Sequence, residues 1–141
     1  MLVFAKYFKN KKIIITGHTG FKGSWLSLWC ILSGAKVIGI SNSLTSIPSH
    51  FREMGLQTKM KSIKMDIKNL KPLTKIFKRY QPDFIFHLAA QSLVKKSFKY
   101  PVLTWKSNVN TTINLLESLR HVKKKTTVII VTSDKCYLNI E

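Results

Sequence analysis

The glycine-rich segment Lys12–Gly23 constrains the fold of this chain more than any other. Its sequence, KIIITGHTGFKG, places a β-branched run directly before three regularly spaced glycines, Gly17, Gly20 and Gly23. A buried strand that turns through glycines into a helix brings backbone N–H groups and the positive helix end to one point, which suits a pyrophosphate. The glycines supply a tight turn, close approach of the backbone to the ligand and close packing of helix on strand. The segment therefore predicts a dinucleotide site, with a plain structural turn as the alternative.

Apolar runs alternate with helical periodicity along the rest of the chain. We predict strands at 12–16, 36–41, 62–67, 83–88 and 127–132, and helices at 22–33, 69–80 and 101–122, with a short helix near 49–54. This alternation predicts an α/β fold, a Rossmann-type doubly wound parallel sheet of about five strands in the order 3-2-1-4-5. We expect one dinucleotide-binding domain over residues 1–141, incomplete at its C-terminus.

Two of the predicted helices carry an apolar stripe. In the helix at 22–33 the stripe is Trp25, Leu28, Trp29 and Leu32, which predicts an amphipathic helix. In the long helix at 101–122, the residues expected to face inward are Val109, Thr112, Leu116 and Leu119.

The charge is strongly positive, with 24 Lys and Arg against six Asp and Glu and a net charge of +18. Such a balance raises nucleic acid as a partner. The lysines are scattered through every predicted element, without an RNP, zinc-finger or basic-heptad pattern, so we predict a solvated surface and no specific nucleic-acid partner. No segment approaches the roughly 18 apolar residues of a membrane span. Two distant cysteines do not form a disulfide framework, and we expect a cytoplasmic protein without a metal site or a membrane partner.

Polar and small residues follow the predicted strands, and ligands of such sheets bind beyond the carboxyl ends of the strands. Asp66 follows the third strand, where its carboxylate suits either an adenine amino group or a helix N-cap. After the fourth strand, Ala89 and Ala90 allow close approach of a cofactor, although small residues there are also ordinary packing. His87 is expected to be structural, and Asn108 either holds backbone near the site or faces solvent.

The acidic residue that commonly binds the ribose 2′-hydroxyl at the end of the second strand is absent. Ser41 and Asn42 occupy that edge, and the chain has no Asp or Glu before Glu53. This rule therefore leaves NAD and NADP open.

The segment 132–137, TSDKCY, directly follows the fifth predicted strand. Its hydroxyl, carboxylate and ammonium lie where a substrate would bind, and Asp134 and Lys135 suit an acid and a base that shift each other's pKa. A polar turn that ends a strand fits the same residues.

Four segments together resemble the CDP-glucose 4,6-dehydratases, a family of the extended short-chain dehydrogenase/reductase superfamily. They are TGHTGFKGSWL, FHLAAQSLV, SNVNTTINLLES and TSDKCY, and the match runs from Lys12 to Tyr137. The last segment discriminates, because most sugar-nucleotide dehydratases of the superfamily carry Thr-Asp-Glu there and the CDP-glucose branch carries Asp-Lys.

The resemblance implies an NAD-dependent lyase that oxidises the sugar at C4, eliminates water across C5 and C6 and returns the hydride to C6. It implies that Ser133 polarises the C4 oxygen and that Asp134 and Lys135 transfer protons, with CDP-glucose as the substrate. It also implies a homo-oligomer at full length and a role in O-antigen sugar biosynthesis. The residues that it assigns to the cofactor are Gly17, Gly20, Phe21, Lys22, Gly23, Asp66, Ile67, Leu88, Ala89, Ala90 and Asn108.

The chain departs from the family pattern beyond TSDKCY. The Tyr-x-x-x-Lys pair is not found, because position 141, which would follow Tyr137 in that spacing, is Glu141. The tyrosine is the family's base for C4 oxidation, so we expect poor catalysis by the 141-residue chain alone. The alternatives are a non-catalytic dinucleotide-binding module, another sugar-nucleotide epimerase or dehydratase of the superfamily, and a basic nucleic-acid-binding domain.

Overall fold

A five-stranded parallel sheet forms the centre of this computed structural model, which describes residues 5–44 and 46–133. Its strand order is β3-β2-β1-β4-β5, so the predicted order and the Rossmann-type fold class are confirmed. The register pairs Thr16 at the end of β1 with Ile40 in β2 and with His87 in β4. The strands are β1 (Lys12–Thr16), β2 (Lys36–Ser41), β3 (Lys61–Lys64), β4 (Phe84–His87) and β5 (Thr127–Ile130).

Helices lie in each connection between successive strands of the sheet. The predicted long helix at 101–122 is instead two α-helices joined by a π-helical turn, Lys106–Asn110, and a helix that the pattern did not predict precedes it. The α-helices are α1 (Ala5–Phe8), α2 (Phe21–Leu32), α3 (His50–Glu53), α4 (Leu56–Lys59), α5 (Leu70–Tyr80), α6 (Val94–Lys99), α7 (Pro101–Trp105) and α8 (Thr111–Leu119).

The sheet buries a separate apolar cluster on each face. Leu73 and Phe77 of α5 and Leu115 of α8 pack against one face, with Ile14 and Ile85 beneath them. The other face carries a smaller cluster under α2, formed by Ile13, Ile15, Val37 and Cys30. Burial raises the pKa of the Cys30 thiol to about 12, so this cysteine serves as a core residue and not as a nucleophile.

The stripe predicted for the helix at 22–33 does not face the sheet. The buried residues of α2 are Gly23, Ser24, Ser27 and Cys30, whereas Trp25 is 50% exposed and Leu32 is 69% exposed. Because Gly23 lies directly against the turn after β1, the helix approaches the sheet through its small residues. Small residues allow that close approach, and a hydrophobicity pattern does not detect them.

The inward face of the last helix also differs from the prediction. The buried residues of α8 are Thr111, Leu115 and Ser118, and Leu116 is 46% exposed. The Ser118 hydroxyl lies 3.2 Å from the Thr74 hydroxyl of α5, so the two helices meet through small polar side chains. Leu119 does pack against the core, as expected.

Candidate functional site

The turn between β1 and α2 has the geometry expected of a ligand-binding glycine turn. Gly17 adopts a left-handed conformation with φ of +74°, and its N–H donates to the Ile40 carbonyl at 2.8 Å. The Gly20 N–H donates to the Gly17 carbonyl at 3.0 Å, which closes the turn immediately before α2 begins. The chain therefore passes from strand to helix in four residues, with the N-terminus of α2 beyond the carboxyl end of β1.

The three glycines of this turn are required for different reasons. A Cβ at Gly17 would lie 2.8 Å from the Ala89 amide nitrogen, and a Cβ at Gly23 would collide with the Gly17 carbonyl group. Both positions are therefore fixed by contacts within the protein. A Cβ at Gly20 would meet only the Gly17 carbonyl oxygen within 4 Å, at 3.3 Å, and Gly20 has ordinary extended backbone angles. The fold alone therefore explains Gly17 and Gly23 better than it explains Gly20.

The N-terminus of α2 is open to solvent next to Gly20. Phe21 and Lys22 are exposed, the first turn of the helix has no acidic residue, and no side chain caps it. The first N–H groups of a helix have no partner within the helix and favour an anion. His50 of α3 lies beside this end, with its Nδ1 2.8 Å from the Ser24 hydroxyl. The uncapped first turn of α2 can hold a phosphate.

His18 links the glycine turn to the two neighbouring strands on one side. Its Nδ1 lies 3.0 Å from the Ser41 hydroxyl at the end of β2, and its Nε2 lies 2.7 Å from the Ser62 hydroxyl of β3. The ring is 1% exposed. Burial lowers the pKa of His18 to about 4, against a smaller opposing effect of a hydrogen bond with the Ile40 backbone, so the ring is neutral at pH 7.

His87 occupies the corresponding place on the other side of β1. The Thr16 hydroxyl lies 2.6 Å from His87 Nδ1, and the Thr112 hydroxyl of α8 lies 3.2 Å from Nε2. The Thr112 hydroxyl donates to the Asn108 carbonyl at 2.7 Å, so it accepts from His87 Nε2–H, and His87 Nδ1 accepts from Thr16. Burial lowers the pKa of His87 to about 4. Both ring nitrogens of His87 therefore form hydrogen bonds within the protein, which is the pattern of contacts expected of a structural histidine.

The loop after β4 is held by side chains from two other elements. The Ala89 N–H donates to the Thr16 hydroxyl at 3.2 Å. Asn108, in the π-helical turn, accepts from the Gln91 N–H at 2.7 Å and donates to the Gln91 carbonyl at 3.1 Å. Leu88 and Ala89 are half-buried against the glycine turn, and Ala90 is exposed. The structure thus brings Leu88 and Ala89 beside Gly17, with Ala90 next along the loop, and it gives Asn108 a contact with the backbone of that loop.

Asp66 is already engaged by its own neighbours. Its carboxylate accepts from the Lys68 N–H at 2.9 Å and lies 3.1 Å from the Lys68 ammonium. Asn69, and not Asp66, is the residue that directly precedes α5. The Ile67 side chain is buried in the core, so a ligand contact from Ile67 would fall to its backbone. Asn114 of α8 holds this turn through hydrogen bonds to the carbonyls of Ile67 and Lys68.

The predicted catalytic segment is described only in part. Ser133 is exposed beyond the end of β5, on the carboxyl edge of the sheet where the glycine turn also lies. Asp134 and Lys135 lie outside the described residues. At the β2 edge, Ser41 is engaged by His18, whereas Asn42 and Ser43 are exposed.

Several residues of this region were not among the predicted site residues. They support the turn and the loop rather than line an open surface. A polar residue at the end of an apolar strand signals Thr16 and Ser41, whereas Ser62 lies within the mostly polar β3 and Thr112 lies in α8. A histidine inside the glycine segment was the clearest of these signals. The residues are Thr16, His18, Ser41, Ser62, Gln91 and Thr112.

The parallel sheet with its glycine turn between β1 and α2 defines the class of this chain, a Rossmann-type α/β protein. The family described as GDP-mannose 4,6 dehydratase matches residues 14–140, and the chain belongs to that family. The resemblance predicted from the sequence motifs is confirmed by CDP-glucose 4,6-dehydratase of Salmonella typhimurium (strain LT2), which is 39% identical over 140 residues. That match covers 99% of this chain and 39% of the relative, so the chain spans about two fifths of the length of that protein.

Solved structures extend the likeness to sugar-nucleotide epimerases. The epimerase Mth375 of Methanothermobacter thermautotrophicus has a TM-score of 0.82 at 25% identity, covering 96% of this chain and 39% of that chain. UDP-glucose 4-epimerase of Thermus thermophilus, solved in complex with NAD, has a TM-score of 0.69 at 26% identity, covering 79% of this chain and 34% of that chain. Among the described residues, no helix has the length and apolar character needed to cross a membrane.

Proposed function

We propose that this chain is the cofactor-binding part of an NAD-dependent sugar-nucleotide dehydratase that acts on CDP-glucose. The observation that carries the proposal is the glycine turn, in which the fold accounts for Gly17 and Gly23 and leaves Gly20 open next to the N-terminus of α2. A pyrophosphate that approaches the backbone at Gly20 would explain why this position has no side chain. The NAD held by the Thermus thermophilus epimerase and the likeness to CDP-glucose 4,6-dehydratase support the choice of cofactor and substrate.

The roles that we propose for the residues follow their positions along the carboxyl edge of the sheet. The glycine turn and the N-terminus of α2 would bind the pyrophosphate, and Leu88, Ala89 and Ala90 would lie along the middle of the cofactor. Bound NAD would supply reversible hydride transfer. Ser133 would donate to the sugar C4 oxygen, while Asp134 and Lys135 would move protons as water leaves across C5 and C6. Cytoplasmic location, homo-oligomerisation and a role in O-antigen sugar synthesis stay predictions.

Cofactor binding is tested first, because Gly20 offers a substitution that the fold tolerates. We expect Gly20→Val to abolish the binding of NAD measured by isothermal titration calorimetry, since its side chain would occupy the space of the pyrophosphate. Gly20→Ala should weaken NAD binding with little loss of stability, because its Cβ needs only a small adjustment of the Gly17 carbonyl. Gln57→Val, on the exposed surface of α4, is the matched control for an added valine. Equal affinity of Gly20→Val and the parent would refute the pyrophosphate assignment.

The chemistry is tested in a chimera, because the chain spans 39% of its Salmonella relative. Joined to the C-terminal part of a CDP-glucose 4,6-dehydratase, the chain should convert CDP-glucose to the 4-keto-6-deoxy product. Lys135→Ala in that chimera should slow turnover by about 10²–10⁴, the usual contribution of a general acid or base. NAD affinity should stay nearly unchanged. The control is Lys125→Ala, an exposed lysine before β5.

Three outcomes of the chimera experiment would change the proposal. Full activity of the Lys135→Ala chimera would remove Lys135 from the mechanism. A parent chimera that binds NAD yet converts no sugar nucleotide favours the non-catalytic module, whereas conversion of another nucleotide sugar in preference to CDP-glucose favours a different epimerase or dehydratase of the superfamily.

A further inference from the structure

The buried ring of His18 adds side-chain contacts between three segments, beside the backbone hydrogen bond from the Gly17 N–H to the Ile40 carbonyl and the pairing of β2 with β3. It lies inside the glycine turn, between Gly17 and Gly20, and contacts the hydroxyls of Ser41 at 3.0 Å and Ser62 at 2.7 Å. We propose that His18 is a positioning residue for the cofactor pyrophosphate, holding the glycine turn in its ligand-binding shape by tying it to β2 and β3. This inference rests on the proposed cofactor site.

The space around the His18 ring leaves it one place to lie. The ring meets Phe51 of α3 edge to face, with 5.0 Å between the ring centroids. Gly39 of β2 lies directly beneath it, and a Cβ at Gly39 would overlap the imidazole carbons. The missing side chain at Gly39 therefore makes room for the ring, and Phe51 closes the space from the other side. Because the ring is confined in this way, it keeps the turn at a fixed place relative to Ser41 and Ser62.

The contacts of the neighbouring residue reinforce the same connection. The Thr19 hydroxyl donates to the Ser43 carbonyl at 2.7 Å, and the Thr19 N–H points to the Ser41 hydroxyl at 3.4 Å. His18 and Thr19 together thus fasten the middle of the turn to the segment after β2. Gly20 and the free N–H groups at the start of α2 follow directly, so a displacement of His18 and Thr19 moves the groups that would face the phosphates.

The charge state of His18 suits this role. Burial lowers the pKa of the imidazole to about 4, so at pH 7 one ring nitrogen donates and the other accepts. A neutral imidazole can engage two serine hydroxyls at once, whereas the ring itself, 1% exposed, does not reach a ligand. His18 therefore acts on the cofactor through the turn, not by direct contact.

The test compares ligands with and without phosphates on the 141-residue chain. Ser62→Ala removes one end of the connection at an exposed position of β3, and His18→Phe removes both hydrogen bonds while it keeps a ring. We expect each variant to bind ADP and NAD more weakly in calorimetry, by about tenfold for His18→Phe, in line with the loss of two hydrogen bonds. Binding of adenosine, followed by NMR chemical shifts, should not change, because adenosine has no phosphate.

Thr74→Ala is the matched control. It removes a hydroxyl contact between α5 and Ser118 of α8, away from the glycine turn, so it should leave the ratio of ADP to adenosine affinity unchanged. His18→Gln, which keeps a donor and an acceptor, should recover part of the ADP affinity lost in His18→Phe.

The outcomes distinguish this inference from the proposed function. If the parent binds NAD and ADP but Ser62→Ala and His18→Phe bind ADP equally well, His18 has no positioning role. The same conclusion follows if ADP and adenosine affinities fall together, or if Thr74→Ala changes the ratio as much as His18→Phe does. A parent that binds neither NAD nor ADP overturns the proposed function and this inference with it.

Discussion

The glycine turn after β1 and the loop after β4 meet at one contact, yet they are held in different ways. The turn is shaped by missing side chains at Gly17 and Gly23 and is fastened through His18 to β2 and β3. The loop is shaped by added side chains, because Thr16 and Asn108 bond its backbone. Each region contains one buried neutral histidine, but His18 lies within the turn, whereas His87 lies in the strand beneath the loop.

The two regions also differ in how much of their shape a short sequence segment contains. The glycines that shape the turn lie within residues 17–23, although its supports Ser41 and Ser62 lie 23 and 44 residues from His18. The loop depends on contacts across 17 residues between Gln91 and Asn108 and across 73 between Ala89 and Thr16. A local motif therefore indicates the turn, whereas the supports of both regions require the complete sheet.

The substitution with the largest expected effect is Gly17→Ala, which breaks both regions at their common contact. The added Cβ would lie 2.8 Å from the Ala89 amide nitrogen in a backbone with φ of +74°. A left-handed alanine costs about 1–2 kcal/mol and overpacking adds about 1–3 kcal/mol. We expect the free energy of unfolding, measured by urea denaturation, to fall by about 2–5 kcal/mol, the sum of the two costs.

Gly20→Ala provides the comparison for that experiment. Its Cβ meets one oxygen at 3.3 Å in an ordinary extended backbone, so its free energy of unfolding should stay close to that of the parent. If Gly17→Ala and Gly20→Ala are equally stable, the turn and the loop do not share the close contact described here.

β1 and β2 were predictable because each buries a run of β-branched residues, as Ile13, Ile14 and Ile15 do in β1. The sheet order 3-2-1-4-5 was predicted from the Rossmann arrangement of alternating strands and helices, and it is confirmed. The inward faces of α2 and α8 were not predictable from hydrophobicity, because Ser27 and Ser118 are fully buried where helices approach a neighbour closely. Their hydroxyls find partners at Gly23 and Thr74, which no periodicity shows.

The candidate site was likewise predictable from the sequence only in part. Its glycines were visible in the sequence because their spacing alone indicates a turn. The support of the site was not visible, since His18 depends on Ser62, 44 residues away, and His87 depends on Thr16, 71 residues away. Polar side chains at distant positions become one network only after the strands are aligned.

The smallest effect concerns pH, and it compares the two histidines directly. Burial lowers the pKa of both His18 and His87 from 6.5 to about 4, with the Ile40 backbone contact of His18 acting against this effect. Between these values the unfolded chain binds protons that the folded chain does not, so the free energy of unfolding rises with pH. Both contributions are therefore complete above about pH 6.5 and are lost as the pH falls toward 4.

Urea denaturation between pH 7 and 5 measures this dependence. Each histidine contributes a slope of up to about 1.4 kcal/mol per pH unit. We expect His18→Gln and His87→Gln each to remove the contribution of that histidine to the slope, and the double variant to remove both contributions. The two contributions should add because the two rings have no common hydrogen-bond partner. Gln57→Val, at an exposed position without a titratable group, should leave the slope unchanged.

The same variants can be compared with NAD added at saturation. His18→Gln should then gain less stability than the parent and His87→Gln should gain as much, since His18 holds the turn and His87 holds the scaffold. An equal NAD response of the two variants would show that the two regions act on the cofactor as one unit.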